Sequence, residues 1–303
     1  MKIMVTGGAG FIGSHLVDRL ITEGHQVMIL DDFSTGNKKF VNPKAELTEL
    51  DIRDTDEVNK FFKSFKPEAV FHLAAQISIR ESTENPEYSQ EVNVQGSQNI
   101  ISASKEYGVK KIVFSSTAAV YGENQNLPLK ESEPIKPTSP YGEQKMVIEK
   151  ELEESGIPSI VLRFANAYGP RQGTIGEGGV IGVFCQRLNG GEPLNITGNG
   201  EQTRDFVFVD DIVDANIKVL ECDKEFAIYN VSTTKETSIN NISEQLLSIS
   251  QKNVKVEHSD TIKSEVVRNS LDNRLIKEET GWSDKIDIQE GLINTWEWFN
   301  KNI

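Results

Sequence analysis

The stretch "TGGAGFIG", Thr6 to Gly13, decides the fold. It follows the apolar run "KIMV" and opens "FIGSHLVDRLITEG", whose apolar spacing predicts a helix ending at Gly24. Strand, glycine turn and helix in that order place Gly7, Gly10 and Gly13 where a dinucleotide pyrophosphate comes closest to the chain. Unpaired amides and the dipole of the helix N-terminus favour negative charge there, and a side chain would block the approach. The next strand, "HQVMILDD", ends in Asp31 and Asp32, either of which would take the hydroxyls of an adenosine ribose. A carboxylate at that position repels a ribose 2'-phosphate, so NAD is expected rather than NADP. A glycine trio alone is a weak sign, equally at home in an ordinary tight turn. The strand before it and the helix after it tip the reading toward a cofactor.

Outward from this stretch the first half of the chain alternates. Apolar strands are expected at "EAVFHLAA", "VKKIVFSS" and "PSIVLRFA". Helices are expected at "DTDEVNKFFKSF", with Asp54 or Thr55 as cap, at "PEYSQEVNVQGSQNIISASKEYG" and at "YGEQKMVIEKELEESG". Nearly continuous apolar strands joined by helices predict an α/β fold, a doubly wound parallel (Rossmann) sheet with ligands at the carboxyl ends of its strands. After about Asn166 the texture becomes glycine-rich and loses its period. We read residues 1–166 as the dinucleotide-binding domain and 167–303 as a smaller C-terminal α+β substrate lobe, with the chain returning to the sheet around 205–232. The tail is expected to hold a strand at "VKVEHS" and helices around 271–280 and 288–300, where Trp296, Trp298 and Phe299 pack the core or the lobe. No internal repeat or low-complexity linker interrupts the chain.

Bulk properties narrow the partners. The 303 residues carry 32 basic and 46 acidic side chains, a formal charge of -14, which argues against a nucleic-acid surface. The two cysteines, Cys185 and Cys222, do not form a disulfide framework, which points to a reducing, cytoplasmic setting. His15, His25, His72 and His258 have no metal-ligand spacing, so no metal is expected. The start "MKIMVTGG" reads as a strand rather than a signal peptide, and no segment reaches the roughly 20 apolar residues of a membrane span.

Chemistry is suggested by two further stretches. "SPYGEQK" places Tyr141 and Lys145 four apart, on one face of a helix that Tyr141 would open. A lysine ammonium beside a phenol stabilises the phenolate, and a cationic nicotinamide adds to this, so Tyr141 becomes a general base. "SSTAAVYG" sits at the end of a strand, where Thr117 would bond the reacting oxygen beside Tyr141. Ser115 and Ser116 either touch the ligands or simply satisfy the strand end. The strand ends "DIR", with Asp51 and Ile52, and "LAAQ", with Leu73, Ala74, Ala75 and Gln76, lie on the same edge. The small Ala74 and Ala75 would let a flat cofactor lie against the backbone, although strand-end packing alone explains them.

Taken together, "TGGAGFIG", "LDD", "DIRD", "HLAA", "VNVQGSQN", "FSSTAAVYG", "SPYGEQK", "LRFANAYGPRQ" and "RDFVFVDDIVDA" resemble the extended short-chain dehydrogenase/reductase family, and within it the UDP-glucose 4-epimerase group, across nearly the whole chain. The resemblance implies Tyr141, Lys145 and Thr117 as the catalytic base, its lysine partner and its hydroxyl. It implies NAD contacts at Gly7, Gly10, Phe11, Ile12, Gly13, Asp31, Asp32 and Ser34. Further NAD contacts are implied at Asp51, Ile52, Leu73, Ala74, Ala75, Asn93 and Ser115, and at Tyr141 and Lys145 themselves. Around a UDP-sugar it implies Gln76, Ser116, Thr117 and Asn166, the backbone of Gly179 and Val180, and Asn195 and Thr197 beside uracil. Arg204 would hold the diphosphate, supplying the positive charge an acidic chain otherwise lacks, where adjacency alone would pair it with Asp205. The group often carries Arg-x-Gly-Asp/Glu before its last helices. Here Glu265 fits the acid, but Ile262 falls at the arginine position, with Lys263 beside it, and Asn269 lies near the position bordering the sugar C2 substituent.

The alanines after the hydroxyls narrow the reaction. Dehydratases in the family usually carry acidic residues there, because they remove a proton from C5 and expel water from C6. Ala118 and Ala119 do neither, and equally they are small residues suited to packing on the sheet. The resemblance therefore implies NAD-dependent epimerisation at C4 of UDP-glucose or UDP-galactose through a transient 4-keto sugar. UDP-N-acetylhexosamine and UDP-uronic acid are the alternative substrates, and a dinucleotide-sensing or RNA-associated protein is the alternative from another class. A homodimer is expected as well, joined in the family through helices around 86–107 and 141–155.

Overall fold

The computed structural model describes residues 1–173, 179–260 and 267–303. Elements run in chain order as β1 (Lys2–Thr6), α1 (Phe11–Thr22), β2 (Gln26–Asp31), β3 (Glu46–Glu49), α2 (Thr55–Phe65) and β4 (Ala69–His72). Next come α3 (Ile79–Glu84), α4 (Pro86–Gln90), a π-helical turn at Glu91–Gly96, α5 (Ser97–Glu106), β5 (Lys111–Thr117), a 3-10 turn at Ala118–Tyr121, α6 (Pro140–Glu154) and β6 (Ser159–Phe164). The second half holds β7 (Asn166–Tyr168), α7 (Val180–Gly190), β8 (Leu194–Thr197), β9 (Thr203–Arg204), β10 (Phe206–Phe208) and α8 (Val209–Leu220). It closes with β11 (Phe226–Val231), β12 (Thr237–Ser238), α9 (Ile239–Ser250), β13 (Val256–Ser259), α10 (Arg274–Thr280) and α11 (Ile288–Asn302).

Seven parallel strands form the central sheet in the order β11-β6-β5-β4-β1-β2-β3. β4 is buried along its whole length, as its unbroken "AVFH" requires. Leu16, Val17 and Leu20 of α1 and Ile212 and Val219 of α8 fill one core face. Phe62 of α2, Ile100 of α5 and Ile148 and Leu152 of α6 fill the other. Helices on both faces make the sheet doubly wound, so the ends of β1, β4 and β5 open where the strand order reverses. β11 joins this sheet beside β6, within the 205–232 span where a return was expected.

A third core gathers Phe184 and Leu188 of α7, Ile242 and Leu246 of α9, and Leu292, Trp296 and Phe299 of α11. Trp298 packs at its margin, edge-on to Phe40 with ring centroids 5.9 Å apart. The tail aromatics are thus packing residues.

Two features differ from the sequence reading. β3 is an edge strand of "ELTE" with largely exposed side chains, so no apolar run announces it. The single long helix expected over "PEYSQEVNVQGSQNIISASKEYG" is α4 and α5 joined by the π-helical turn, which carries Asn93. Among the described residues, no helix is long and apolar enough to cross a membrane.

Candidate active site

The glycine turn builds the first wall of the site. Gly7 has φ +70, and a Cβ on it would lie 2.7 Å from the amide nitrogen of Ala74. Only glycine therefore lets β1 and the loop after β4 meet. Gly13 answers a different demand, because its Cβ would stand 2.1 Å from the Gly7 carbonyl oxygen. α1 begins after Gly10 with no side-chain cap on its amides, so an anionic ligand has donors to meet, and Phe11 and Ile12 form its first turn.

Asp31 is buried and ties this turn down. Its Oδ2 accepts the Ala9 amide at 2.9 Å and its Oδ1 the Phe33 amide at 2.9 Å. Burial raises its pKa, against the pull of those two amides. Each oxygen keeps a lone pair for a ribose hydroxyl. Asp32 is exposed and accepts from the amide and hydroxyl of Ser34 at 2.9 and 2.6 Å. Asp51 is committed to its neighbour: Arg53 Nη2 donates to Oδ2 at 2.6 Å, and that hydrogen-bonded guanidinium holds the carboxyl below its usual range. Ile52 is a correction in part. Its side chain is buried in the core against Gly96, which leaves only its backbone to face a ligand.

The loop after β4 is pinned from below and from the side. The Leu73 amide donates to the Thr6 carbonyl and the Ala74 amide to Thr6 Oγ1. Asn93 is buried and clasps Gln76 through both amide groups, accepting from its N–H at 2.8 Å and donating to its carbonyl at 2.9 Å. Asn93 Nδ2 and Ser89 Oγ also donate to Gln144 Oε1, each at 2.8 Å. Ala75 lies in the same half-buried run. Asn93, expected beside the cofactor, therefore holds the loop that lines the cleft.

The helix that carries Tyr141 docks on the end of β5. Ser139 caps α6 and Pro140 occupies its first turn, so Tyr141 is placed as the helix opens. The Tyr141 amide donates to Ser82 Oγ at 3.2 Å. One turn on, Lys145 is buried, its Nζ donating to the Ser115 carbonyl at 2.9 Å and lying 5.9 Å from the centroid of the Tyr141 ring. Burial lowers the Lys145 pKa to about 7, opposed by the charge of Glu149. Thr117 Oγ1 accepts the Ala119 amide at 3.1 Å, which leaves its own proton to donate elsewhere. Ser115 Oγ is buried without a partner among the described residues.

Ser116 corrects the sequence reading. Strand alternation turns it to the opposite side of β5 from Ser115 and Thr117. There it is buried and donates to Glu149 Oε1 of α6 at 2.5 Å. Glu149 also receives Arg163 in a fork, from Nε at 3.0 Å and from Nη2 at 2.5 Å. Glu149, Arg163, Gln144 and Ser82 escaped the sequence reading, although the position of Glu149, four after Lys145, was a usable sign. Ala118 packs in the core and the Ala119 carbonyl lies where a Cβ on Gly142 would come within 2.8 Å, so both alanines also serve close packing.

The second half of the chain carries further expected residues. Asn166, exposed at the start of β7, donates its amide to the Asp205 carbonyl at 2.8 Å. Gly179 is the N-cap of α7 and Val180 its first residue. Buried Gln172 bridges the Ala167 carbonyl and the Gly182 amide, drawing that helix start toward β7. Arg204 is half-buried on β9, and its Nη1 donates to the Thr203 carbonyl at 2.8 Å. The Asp205 carboxylate takes the backbone amides of Thr233 and Thr234 at 2.8 and 3.0 Å, so it anchors the strand. Asn195 and Thr197 lie on β8, with Gln202 Nε2 bonded to the Thr197 carbonyl. Glu265 and Ile262 lie outside the described residues. Among the described residues, no cluster of His, Cys, Asp and Glu has the makeup of a metal site.

Residues 3–232 match the model of the NAD dependent epimerase/dehydratase family. A "Putative UDP-glucose 4-epimerase" of Methanocaldococcus jannaschii is 43% identical, with 99% of each chain covered. A crystal structure of UDP-glucose 4-epimerase with UDP-glucose, from Thermotoga maritima, is 40% identical at a TM-score of 0.97, covering 99% of both chains. A Thermus thermophilus UDP-glucose 4-epimerase in complex with NAD is 33% identical at a TM-score of 0.95, covering 100% of both.

Proposed function

The chain belongs to the NAD dependent epimerase/dehydratase family, and from that premise we propose that it interconverts the C4 epimers of a UDP-hexose, UDP-glucose and UDP-galactose, with NAD as its cofactor. The residues fit such a dinucleotide: an uncapped helix start at Gly10, the Asp31 carboxylate at the end of β2, and a buried Ser115 hydroxyl still to be satisfied. When bound, the nicotinamide supplies reversible hydride transfer at C4.

The chain's own groups manage the proton. Lys145, held on the Ser115 carbonyl, favours the phenolate of Tyr141. Tyr141 Oη takes the proton of the C4 hydroxyl and returns it once the 4-keto sugar has turned its other face. Thr117 donates to the same oxygen and orients it. Ala118 and Ala119 offer no group that would remove a C5 proton. Arg204, Asn166 and the amides at Gly179 and Val180 hold the diphosphate, Asn195 and Thr197 the uracil, and Gln76 the sugar. The protein works as a cytoplasmic homodimer without nucleic acid, residues 1–166 holding the cofactor and 167–303 the nucleotide sugar.

The observation that carries this reading is the Lys145 ammonium seated on β5 and 5.9 Å from the Tyr141 ring, at the carboxyl edge of a doubly wound sheet. Denaturing the purified protein should release NAD, and the native protein should convert UDP-galactose with none added. Tyr141→Phe should keep NAD and lose turnover by about 10²–10⁴-fold; near-normal turnover would remove Tyr141 as base. UDP-N-acetylhexosamine is a second substrate reading. Asn269 is buried with its amide oxygen unpartnered among the described residues, and an acetamido N–H would satisfy it. Turnover of hexose, N-acetylhexosamine and uronate substrates side by side decides between them.

A further inference from the structure

Glu149, on the helix that bears Tyr141, and Arg163, on β6, form a buried ion pair. Arg163 is 1% exposed and Glu149 4%, and their shortest contact is 2.5 Å. A buried pair is weak evidence for stability, since apolar residues of the same volume often do as well. Its placement suggests a use. Lys145 and Glu149 lie one helical turn apart on the sheet-facing side of α6, and they grip consecutive residues of β5. Lys145 donates to the Ser115 carbonyl, and Glu149 accepts the Ser116 hydroxyl. Arg163 on β6 closes the grip from the neighbouring strand and is itself held by Tyr121, whose hydroxyl it meets at 2.9 Å. The Tyr121 hydroxyl passes on to Asn230 Oδ1 on β11 at 2.8 Å.

We propose that Glu149 is a positioning residue for the reaction. It staples α6 to β5 so that Lys145 faces Tyr141, and it supplies the counter-charge that keeps the buried Lys145 as an ammonium. The proposal rests on Tyr141 as base and Lys145 as its partner. Among the described residues, the groups facing Lys145 are few. Its own helix presents Tyr141 and Glu149. β5 gives the Ser115 carbonyl and the Phe114 ring, 4.7 Å from Nζ. β4 contributes His72, which burial pushes down to about 3 and which is therefore neutral. Arg163 from β6 and Tyr121 from the turn after β5 stand behind Glu149. The Glu149 carboxylate is thus the negative charge within this enclosure that sustains the lysine, while burial works against it.

Glu149→Gln preserves shape and most of the hydrogen bonding but removes the charge. Lys145 then loses its proton at lower pH, so the alkaline limb of the pH–turnover profile should move down by about one pH unit. Glu149→Asp, which restores charge, should recover most of that shift. Ser116→Ala cuts the staple alone and should lower kcat about tenfold with KM unchanged. A purely structural pair would lower the melting temperature and leave the limb where it was. The inference is overturned if Glu149→Gln folds and keeps the wild-type limb. Should that variant not fold, it is overturned if Ser116→Ala turns over at the wild-type rate. An inactive Tyr141→Phe beside an unmoved limb would remove this inference alone, whereas an active one would remove the base assignment beneath it.

Discussion

Gly13→Ala tests whether the first wall of the site is set by backbone contact. The added Cβ would stand 2.1 Å from the Gly7 oxygen and 2.9 Å from the Gly7 carbon. Real Cβ contacts with backbone oxygen need a little over 3 Å, so α1 or the turn must retreat by about 1 Å. Neither partner is a flexible side-chain end: one belongs to the turn pinned between β2 and the loop after β4, the other to a helix packed on the core. Overpacking of this kind costs about 1–3 kcal/mol, and for a chain this long about 2–4 °C of melting temperature per kcal/mol. The same retreat carries the amides at the start of α1 off the pyrophosphate. Purified Gly13→Ala should therefore contain little NAD, measured after denaturation, and should melt several degrees early. Gly173→Ala is the control, because a Cβ there has nothing within 4 Å among the described residues. It should keep both NAD and stability. Full NAD content and wild-type melting in Gly13→Ala would refute the close-approach argument.

Two further outcomes follow from the buried polar groups. Lys145 has a folded pKa of about 7 against an ordinary 10.5, so the unfolded chain binds the extra proton between those values and stability should rise with pH across that window. Thermal melts of the cofactor-free protein should show this rise, and Lys145→Met should flatten it while abolishing turnover. Gln144→Leu removes the acceptor shared by Ser89 and Asn93, two hydrogen bonds worth about 1–3 kcal/mol together. Denaturant melts should register that loss, and KM should rise as the Gln76 loop loosens.

What the sequence disclosed and what it withheld have one physical origin. Central strands such as "AVFH" are buried on both sides and so are uniformly apolar, which a reader of residues sees at once. The edge strand "ELTE" is set by pairing with β2, and its exposed side chains carry no trace of that pairing. Gly7 and Gly13 were legible because the constraint on them is steric and local. The clasp of Asn93 on Gln76 was not, because it joins a π-helical turn to a loop 17 residues away.

The hydroxyl run shows the boundary most sharply. Ser115, Ser116 and Thr117 look equivalent as letters, and chemistry alone offers each of them a ligand. A strand admits no such equality, because alternate side chains leave by opposite faces. Once Thr117 is assigned to the cleft, Ser115 must join it and Ser116 must turn inward, where a hydroxyl needs a buried partner. Glu149 is that partner, and it in turn needs a buried cation, which Arg163 supplies. Each step follows from satisfying the group before it, so a single assignment at Thr117 propagates through the sheet to an ion pair that no motif names. The period of a strand, applied to polar residues as strictly as to apolar ones, places Ser116 on the face that α6 covers, opposite Thr117.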